Sequence, residues 1–422
     1  MKTRAILLAT ALVAFVTTAW AQSPLPTAKP EDVGLSSQRL GRVAQMLKAQ
    51  IELGRFPGAV VIVARKGKVA YFEAFGQRDP KAGAPMTKDA IFRLYSMTKP
   101  FTSVAAMILA EEGKLTLTDP VAKYLPQLAE MKVAVPKTDA DGKTSYALVP
   151  AATPMTIQDL LRHTSGIVYG GFTPNSYIKE AYTANKVSWD DQTPEEQLER
   201  LAKVPLAHQP GTVWEYSLST DILGRVVEKV SGVTLGAFLS ERVFAPLKMT
   251  DTGFVVPQGK VTRLAQPFAT DKATGNPIKM LDVTVAQKND AGGAGSAGTA
   301  ADYTRFCQML LNGGQLNGAR VLGRATVAYM ATDHLDTIKT AVPNALAGYG
   351  FGLGFAVRRN DGVSNVMGFA GEYGWGGAAG TTFWIDPKEQ LVAVLMTQTV
   401  FGTAAQRIDR ALFRHTLYQA LN

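Results

Sequence analysis

The chain has 422 residues, 46% of them hydrophobic, which is enough apolar material for a substantial core in one two-lobed domain or two domains. Its 44 Lys and Arg outnumber its 35 Asp and Glu, for a net charge of +9, but no Lys/Arg block concentrates that surplus, which argues against nucleic-acid binding. The one cysteine, Cys307, excludes an intramolecular disulfide, and His163, His208, His334 and His415 are too dispersed for a metal site.

Lys2 and Arg4 precede a short apolar run over 5–16, and Ala19-Trp20-Ala21 is a small-x-small cleavage site. This predicts a secretory signal peptide over 1–21, removed on export to the periplasm or beyond the cell. An uncleaved membrane anchor is the competing reading, and the short apolar run disfavours it. Residues 22–30 are Pro-rich and polar, an extended lead-in. Ser36-Ser37 is placed to cap a helix through Leu40, Val43, Met46, Leu47 and Ile51 to Gly54. The runs 58–63 and 69–75 around Lys66-Gly67-Lys68 predict a hairpin. Phe92 leads into a helix that contains Ser96, carries Val104, Met107, Ile108 and Leu109, and stops at Gly113.

From about 119 to 333 helical patterns dominate: 157–163, 193–202, 220–231, 235–244 and 300–311. Cys307 falls in the last of these, as a small buried residue rather than a reactive thiol. Strands are then predicted over 351–358, 366–373, 381–386 and 391–398, with a final helix over 405–421. The expected fold class is α+β, an antiparallel sheet built from both termini and flanked by helices, with a mainly helical region inserted. The sheet lobe is expected over approximately 22–118 and 335–422 and the helical lobe over approximately 119–334, both in one domain, 22–422. A ligand cleft belongs between the lobes.

Ser96-Met97-Thr98-Lys99 carries the chemistry. Serine and lysine three apart share one side of a helical turn. A serine hydroxyl is a weak nucleophile until a neighbouring group accepts its proton, and a nearby amine can supply or stabilise that base. Ser-x-x-Lys is the nucleophile motif of penicillin-binding proteins and serine β-lactamases. Two further segments follow in order, Pro210-Gly211-Thr212-Val213-Trp214-Glu215-Tyr216-Ser217-Leu218 and Gly374-Trp375-Gly376-Gly377-Ala378-Ala379-Gly380. With supporting runs around Glu111-Glu112-Gly113, Leu160-Leu161-Arg162-His163-Thr164-Ser165-Gly166 and Pro246-Leu247-Lys248-Met249, the chain resembles class C β-lactamase-like serine hydrolases, most closely family VIII carboxylesterases.

The resemblance implies a β-lactamase/DD-peptidase-like fold. It implies Ser96 as nucleophile, Lys99 in its hydrogen-bond network and Tyr216 as the base. A free phenol, with a pKa of about 10, is a poor base at neutral pH, but a neighbouring cation stabilises the phenolate. The resemblance also implies that the N–H groups of Ser96 and Ala378 face the developing oxyanion, and that Leu218, Trp375, Gly376 and Gly377 meet the substrate. Leu218 stands where the lactamases have asparagine, and Trp375-Gly376-Gly377 stands where they have Lys-Thr-Gly. Leu218 cannot hydrogen-bond a lactam side chain, and Trp375 offers an apolar, stackable wall in place of a charge. Both departures favour a neutral ester, with a short acyl chain expected.

The expected activity is therefore a serine carboxylesterase working through an acyl-serine, with no cofactor and no metal. Its partner is a small-molecule ester, not nucleic acid, and the mature form is not expected to insert in a membrane. A β-lactamase, a D-amino-acid peptidase and a transesterase would share the same acyl-enzyme chemistry. A non-catalytic ligand binder would have lost one of Ser96, Lys99 and Tyr216. No serine has glycine both two before and two after it, so an α/β-hydrolase elbow is absent. The stretch Gly292-Gly293-Ala294-Gly295-Ser296 fits no phosphate-loop pattern and reads as a loop bordering the cleft, with Ser296 structural.

Overall fold

The structure, a computed structural model, describes residues 25–272, 274–343, 345–399 and 404–422. The proposed signal peptide over 1–21 lies outside them. The N-terminal strands β1 (Gly58–Arg65), β2 (Lys68–Asp79) and β3 (Ala84–Pro85) join the C-terminal strands β4 (Tyr349–Phe351), β5 (Ala356–Arg358), β6 (Tyr373–Gly376), β7 (Thr382–Asp386) and β8 (Leu391–Thr397) in one sheet. Its order is β4-β5-β6-β7-β8-β1-β2-β3, antiparallel throughout. The seam between the two ends of the chain is the β1–β8 pairing, with Ala59 opposite Thr397 and Arg65 opposite Leu391.

Every residue of β1 is buried, because both faces of the sheet are covered. Side chains alternate across a strand. Val60, Ile62 and Ala64 pack towards the helical region, while Ala59, Val61 and Val63 pack against α1 (Ser37–Glu52) and the C-terminal helix α5 (Ala404–Tyr418). Helix α1 begins where Ser36 Oγ accepts the Arg39 N–H, and it buries Leu40, Val43, Met46 and Leu47. On the other face α2 (Lys99–Glu111) is buried from Lys99 to Leu109, so it forms the axis of the inner core. Two more helices flank it, α3 (Ser219–Ser231) and α4 (Ala300–Leu311), and Cys307 on α4 is buried. The α+β sandwich with a mainly helical insertion is the architecture that the sequence pattern predicts.

Several local expectations need correction. The strand expected over 351–358 is split into β4 and β5, which form a tight hairpin with Gly350 opposite Val357. Gly354 sits there at φ +104, a backbone conformation that suits glycine, and a Cβ on it would meet Ser103 Oγ at 2.4 Å. The strand expected over 366–373 begins only at Tyr373. The insertion also contains a hairpin, Lys132–Thr138 with Thr144–Pro150, that helical patterning hid. Asp141-Gly142, with Gly142 at φ +78, was its turn signal. Helices Ser176–Ala184 and Arg324–Met330 were likewise not anticipated. Among the described residues, no helix is long and apolar enough to cross a membrane.

A buried ionic cluster ties α5 to the sheet. Glu372 is 1% exposed and accepts hydrogen bonds from Tyr349 Oη at 2.7 Å, Tyr418 Oη at 2.9 Å and the guanidinium of Arg414. Arg358 Nη1 lies 3.4 Å from the same carboxylate. Removing one partner of such a cluster strands the other charges away from water. Glu372→Ala is therefore expected to lower the unfolding free energy by about 3–5 kcal/mol. Urea denaturation at neutral pH checks this, and a change below about 1 kcal/mol would mean that water takes over the role of the carboxylate.

Candidate active site

The strand Ile91–Arg93 pairs with Ala297–Thr299 and delivers the chain to Tyr95, which adopts φ 47. A left-handed backbone on a bulky residue is costly, of order 1–3 kcal/mol, and such outliers collect at functional sites. Here it turns the chain sharply into a 3₁₀ turn, Tyr95–Thr98, that exposes Ser96 to a cleft. The α-helix proper starts at Lys99, so Ser96 sits one turn ahead of it rather than at its first residue. Pro100 in the first turn of α2 costs no hydrogen bond, since that N–H would have had no helical partner.

Lys99 is 1% exposed, and an ammonium so deep needs compensation. It donates to Gly293 O at 2.8 Å and to Tyr169 Oη at 3.0 Å. It also lies 4.6 Å from the ring centre of Tyr216 and 5.3 Å from that of Tyr169, both favourable cation–π placements. Asp221 on α3 stands behind this group, with Oδ1 accepting the Gly293 N–H at 2.9 Å. Burial raises the Asp221 carboxyl above its ordinary value, and the charge of Lys99 opposes that rise. A Cβ at residue 293 would stand 2.3 Å from Asp221 Oδ2, so a side chain there would displace that carboxylate. The Gly-rich loop thus carries the link between Lys99 and Asp221. Ser296 is fully buried and bonded to Thr98 Oγ1 at 2.7 Å, a structural position.

Tyr216 lies among aromatic rings. Ring centres stand 5.0 Å away at His163, 5.2 Å at Trp375 and 5.4 Å at Tyr169. Trp375 Nε1 donates to Tyr216 Oη at 3.2 Å. Trp375 is therefore more than the apolar wall read from sequence, since it also orients the phenol. His163 is buried, and burial first, then the charge of Lys99, holds its imidazole well below the usual histidine range. Its Nδ1 is 2.9 Å from Ser217 Oγ, in a chain that continues through Ser219 to Ser165. This neutral chain pins the segment around Tyr216. The second phenol, Tyr169, is pushed well above its ordinary value, by burial first and then by the neighbouring carboxyl of Asp221. It stays protonated.

The cleft has a volume of about 950 Å³. Ser96, Tyr216, Leu218, Trp375, Gly376, Gly377 and Ala378 all line it, with Lys99 beneath them. The predicted residues thus come together from three separate stretches. The N–H groups of Ser96 and Ala378 donate to no other backbone group among the described residues. Gly376 and Gly377 also leave room for their neighbours. A Cβ at 376 would stand 2.8 Å from Arg410 Cζ, and one at 377 would stand 2.3 Å from Leu94 O. Sequence reasoning missed Tyr169, Asp221 and Arg410. Asp221 follows three residues after Leu218 of the Tyr216 segment, but nothing in local spacing pointed to the other two. Among the described residues no group of three His, Cys, Asp or Glu could hold a metal.

The chain is similar to known proteins along most of its length. The chain is 33% identical over 403 residues to Esterase EstB of Burkholderia gladioli, covering 89% of this chain and 94% of that protein. It is 37% identical over 357 residues to Protein Rv1367c of Mycobacterium tuberculosis, covering 82% and 87%. Among solved structures, EstCE1, a hydrolase with promiscuous acyltransferase activity, superposes with a TM-score of 0.74 at 30% identity, over 90% of this chain and 99% of that one. The Beta-lactamase family model matches residues 43–417. The motifs, the fold and these relatives converge: the chain belongs to the Beta-lactamase family, and its relatives include esterases.

Proposed function

We propose that this hydrolase cleaves carboxylic esters through an acyl-Ser96 intermediate. The observation that carries the reading is the Lys99 ammonium held under the Tyr216 ring, in the cleft that exposes Ser96. Tyr216, as phenolate, takes the proton of Ser96 Oγ while Oγ attacks the ester carbonyl. The negative oxygen of the tetrahedral intermediate faces the N–H groups of Ser96 and Ala378. Collapse breaks the bond to the alcohol oxygen, and Tyr216 Oη returns the proton to the leaving alkoxide. Water then attacks the acyl-serine, giving its proton to Tyr216, and the acid leaves as Ser96 regains a hydrogen. Lys99 and the Trp375 N–H stabilise the phenolate in each half-reaction. Proteins of the same family named esterases support the choice of ester.

The cleft is roomier than a short acyl chain requires. Pockets of roughly 300–1,000 Å³ take drug-sized ligands. Tyr95, Tyr169, Phe172, Trp189 and Trp375 line this one, so it also suits esters with a bulky apolar portion. Export and cleavage of residues 1–21 remain part of the proposal, and mass spectrometry of the secreted protein's N-terminus tests them.

The function is tested on purified protein with p-nitrophenyl acetate, p-nitrophenyl butyrate, a naphthyl ester and the chromogenic cephalosporin nitrocefin. The esters are expected to turn over at least about 100-fold faster than nitrocefin, since leaving the lactam's polar groups unpaired against Leu218 and Trp375 costs a few kcal/mol. Faster nitrocefin turnover would make the protein a β-lactamase instead.

A further inference from the structure

The loop that carries Ala378 is held by α5, whose Gln406 and Arg410 also border the cleft. Arg410 Nη2 donates to Gly377 O and, at 2.9 Å, to Thr381 O. One turn earlier on the same helix, Gln406 Nε2 donates to Ala378 O at 2.7 Å. Three carbonyls of the five-residue turn thus point at one helix. Gly377 O belongs to the same peptide unit as the Ala378 N–H. A trans peptide is planar, so its C=O and N–H point in opposite directions. An anchor that draws Gly377 O towards Arg410 therefore turns the Ala378 N–H away from Arg410. A cationic donor on the carbonyl also polarises the amide and strengthens its N–H as a donor.

The fold does not need this cation for satisfaction of the turn. Gly377 O also accepts the Gly380 N–H at 3.1 Å, and Thr381 O accepts the Gly377 N–H at 2.9 Å. Burial holds the Arg410 guanidinium down at about 10, and among the described residues its buried Nε has no partner. Exchanging a buried charge for a well-packed apolar side chain is often neutral or stabilising. Gly376, whose missing side chain makes room for the guanidinium, is the matching feature on the strand.

We propose that Arg410, assisted by Gln406, is a positioning residue for the oxyanion site: it aims and polarises the Gly377–Ala378 peptide so that the Ala378 N–H meets the negative oxygen of the tetrahedral intermediate. The inference rests on the acyl-Ser96 reading given above. Arg410 and Gln406 also border the cleft, so the test separates positioning of the peptide from direct contact with the substrate.

The test compares Arg410→Met, Arg410→Lys and Gln406→Leu with the parent, measuring kcat and KM on p-nitrophenyl butyrate, the affinity for an alkylboronic acid, and the melting temperature. A boronic acid that adds to Ser96 becomes tetrahedral with a negative oxygen, so its affinity reads the oxyanion site. Arg410→Met is expected to lower kcat about 100-fold with KM nearly unchanged, the size of effect seen when an oxyanion donor is lost. Boronate affinity should fall in parallel, and the melting temperature should hold or rise. Arg410→Lys should recover about tenfold, because an ammonium polarises one carbonyl but cannot fork across two. Gln406→Leu should lose about tenfold by the same route, and it stands in if Arg410→Met fails to fold.

A kcat within threefold of the parent in Arg410→Met overturns the proposal. So does a rise in KM restricted to carboxylate-bearing esters, which would make Arg410 a substrate contact, or a kcat loss with boronate affinity intact. Fluorophosphonate labelling separates this from the underlying reading. If Ser96 is labelled in every variant, failure falls on the clamp alone. If labelling and turnover survive Ser96→Ala, the acyl-Ser96 reading has failed first.

Discussion

Ester turnover in Ser96→Ala is expected to fall by about 10⁴-fold or more, to the level set by binding and the oxyanion donors alone. Stability should stay within about 0.5 kcal/mol of the parent, the range of substitutions outside the core. The reason is local. The Ser96 hydroxyl faces the cleft, and the turn that presents it is held by other groups. Leu94 N–H donates to Ser296 O at 2.9 Å, and Tyr95 Oη accepts the Leu281 N–H at 3.0 Å. Neither depends on the serine side chain. Steady-state assay beside thermal unfolding reads both quantities. A variant that kept a tenth of its turnover would move the nucleophile elsewhere in the cleft.

The second large effect belongs to Tyr216→Phe. The ring stays in place against His163, Tyr169 and Trp375, so the substitution removes one oxygen and little packing. Loss of a positioned base costs about 10²–10⁴ in rate. The drop should appear in kcat, with KM changed only a few-fold. Tyr169→Phe is expected to cost less, because burial and the charge of Asp221 keep that phenol protonated and unfit to accept a proton. If Tyr169→Phe proved the more damaging of the two, the base assignment would pass to Tyr169. Trp375→Phe, which deletes the donor to Tyr216 Oη, should show a smaller loss on every ester, unlike a residue that only selects among substrates.

What could be read along the chain is what depends on neighbours in sequence. The cap at Ser36, the hairpin around Gly67 and the helix after Ser96 are set by residues a few places apart. Ser96 and Lys99 are three apart on one continuous turn, so their kinship was visible before any tertiary structure. The architecture followed, because strand patterns at both ends and helical patterns between them admit one economical sheet. The split at Gly352–Phe355 and the hairpin across Asp141-Gly142 were hidden because single glycines and short strands leave weak periodicity.

The environment of the reacting groups was decided by tertiary structure alone. Lys99 meets Tyr169 across 70 positions and Gly293 across 194. Arg410 reaches Gly377 across 33, and only because the sheet and the Glu372 cluster seat α5 against the loop. Such contacts leave no local trace, since any tyrosine or arginine at a fitting distance in space would serve. Chain spacing by itself determined which serine stands beside a lysine. Packing decided which phenol stays protonated, where the buried ammonium finds its partners and which way the Ala378 N–H points, because burial and the direction of a peptide plane exist only once the distant segments have met.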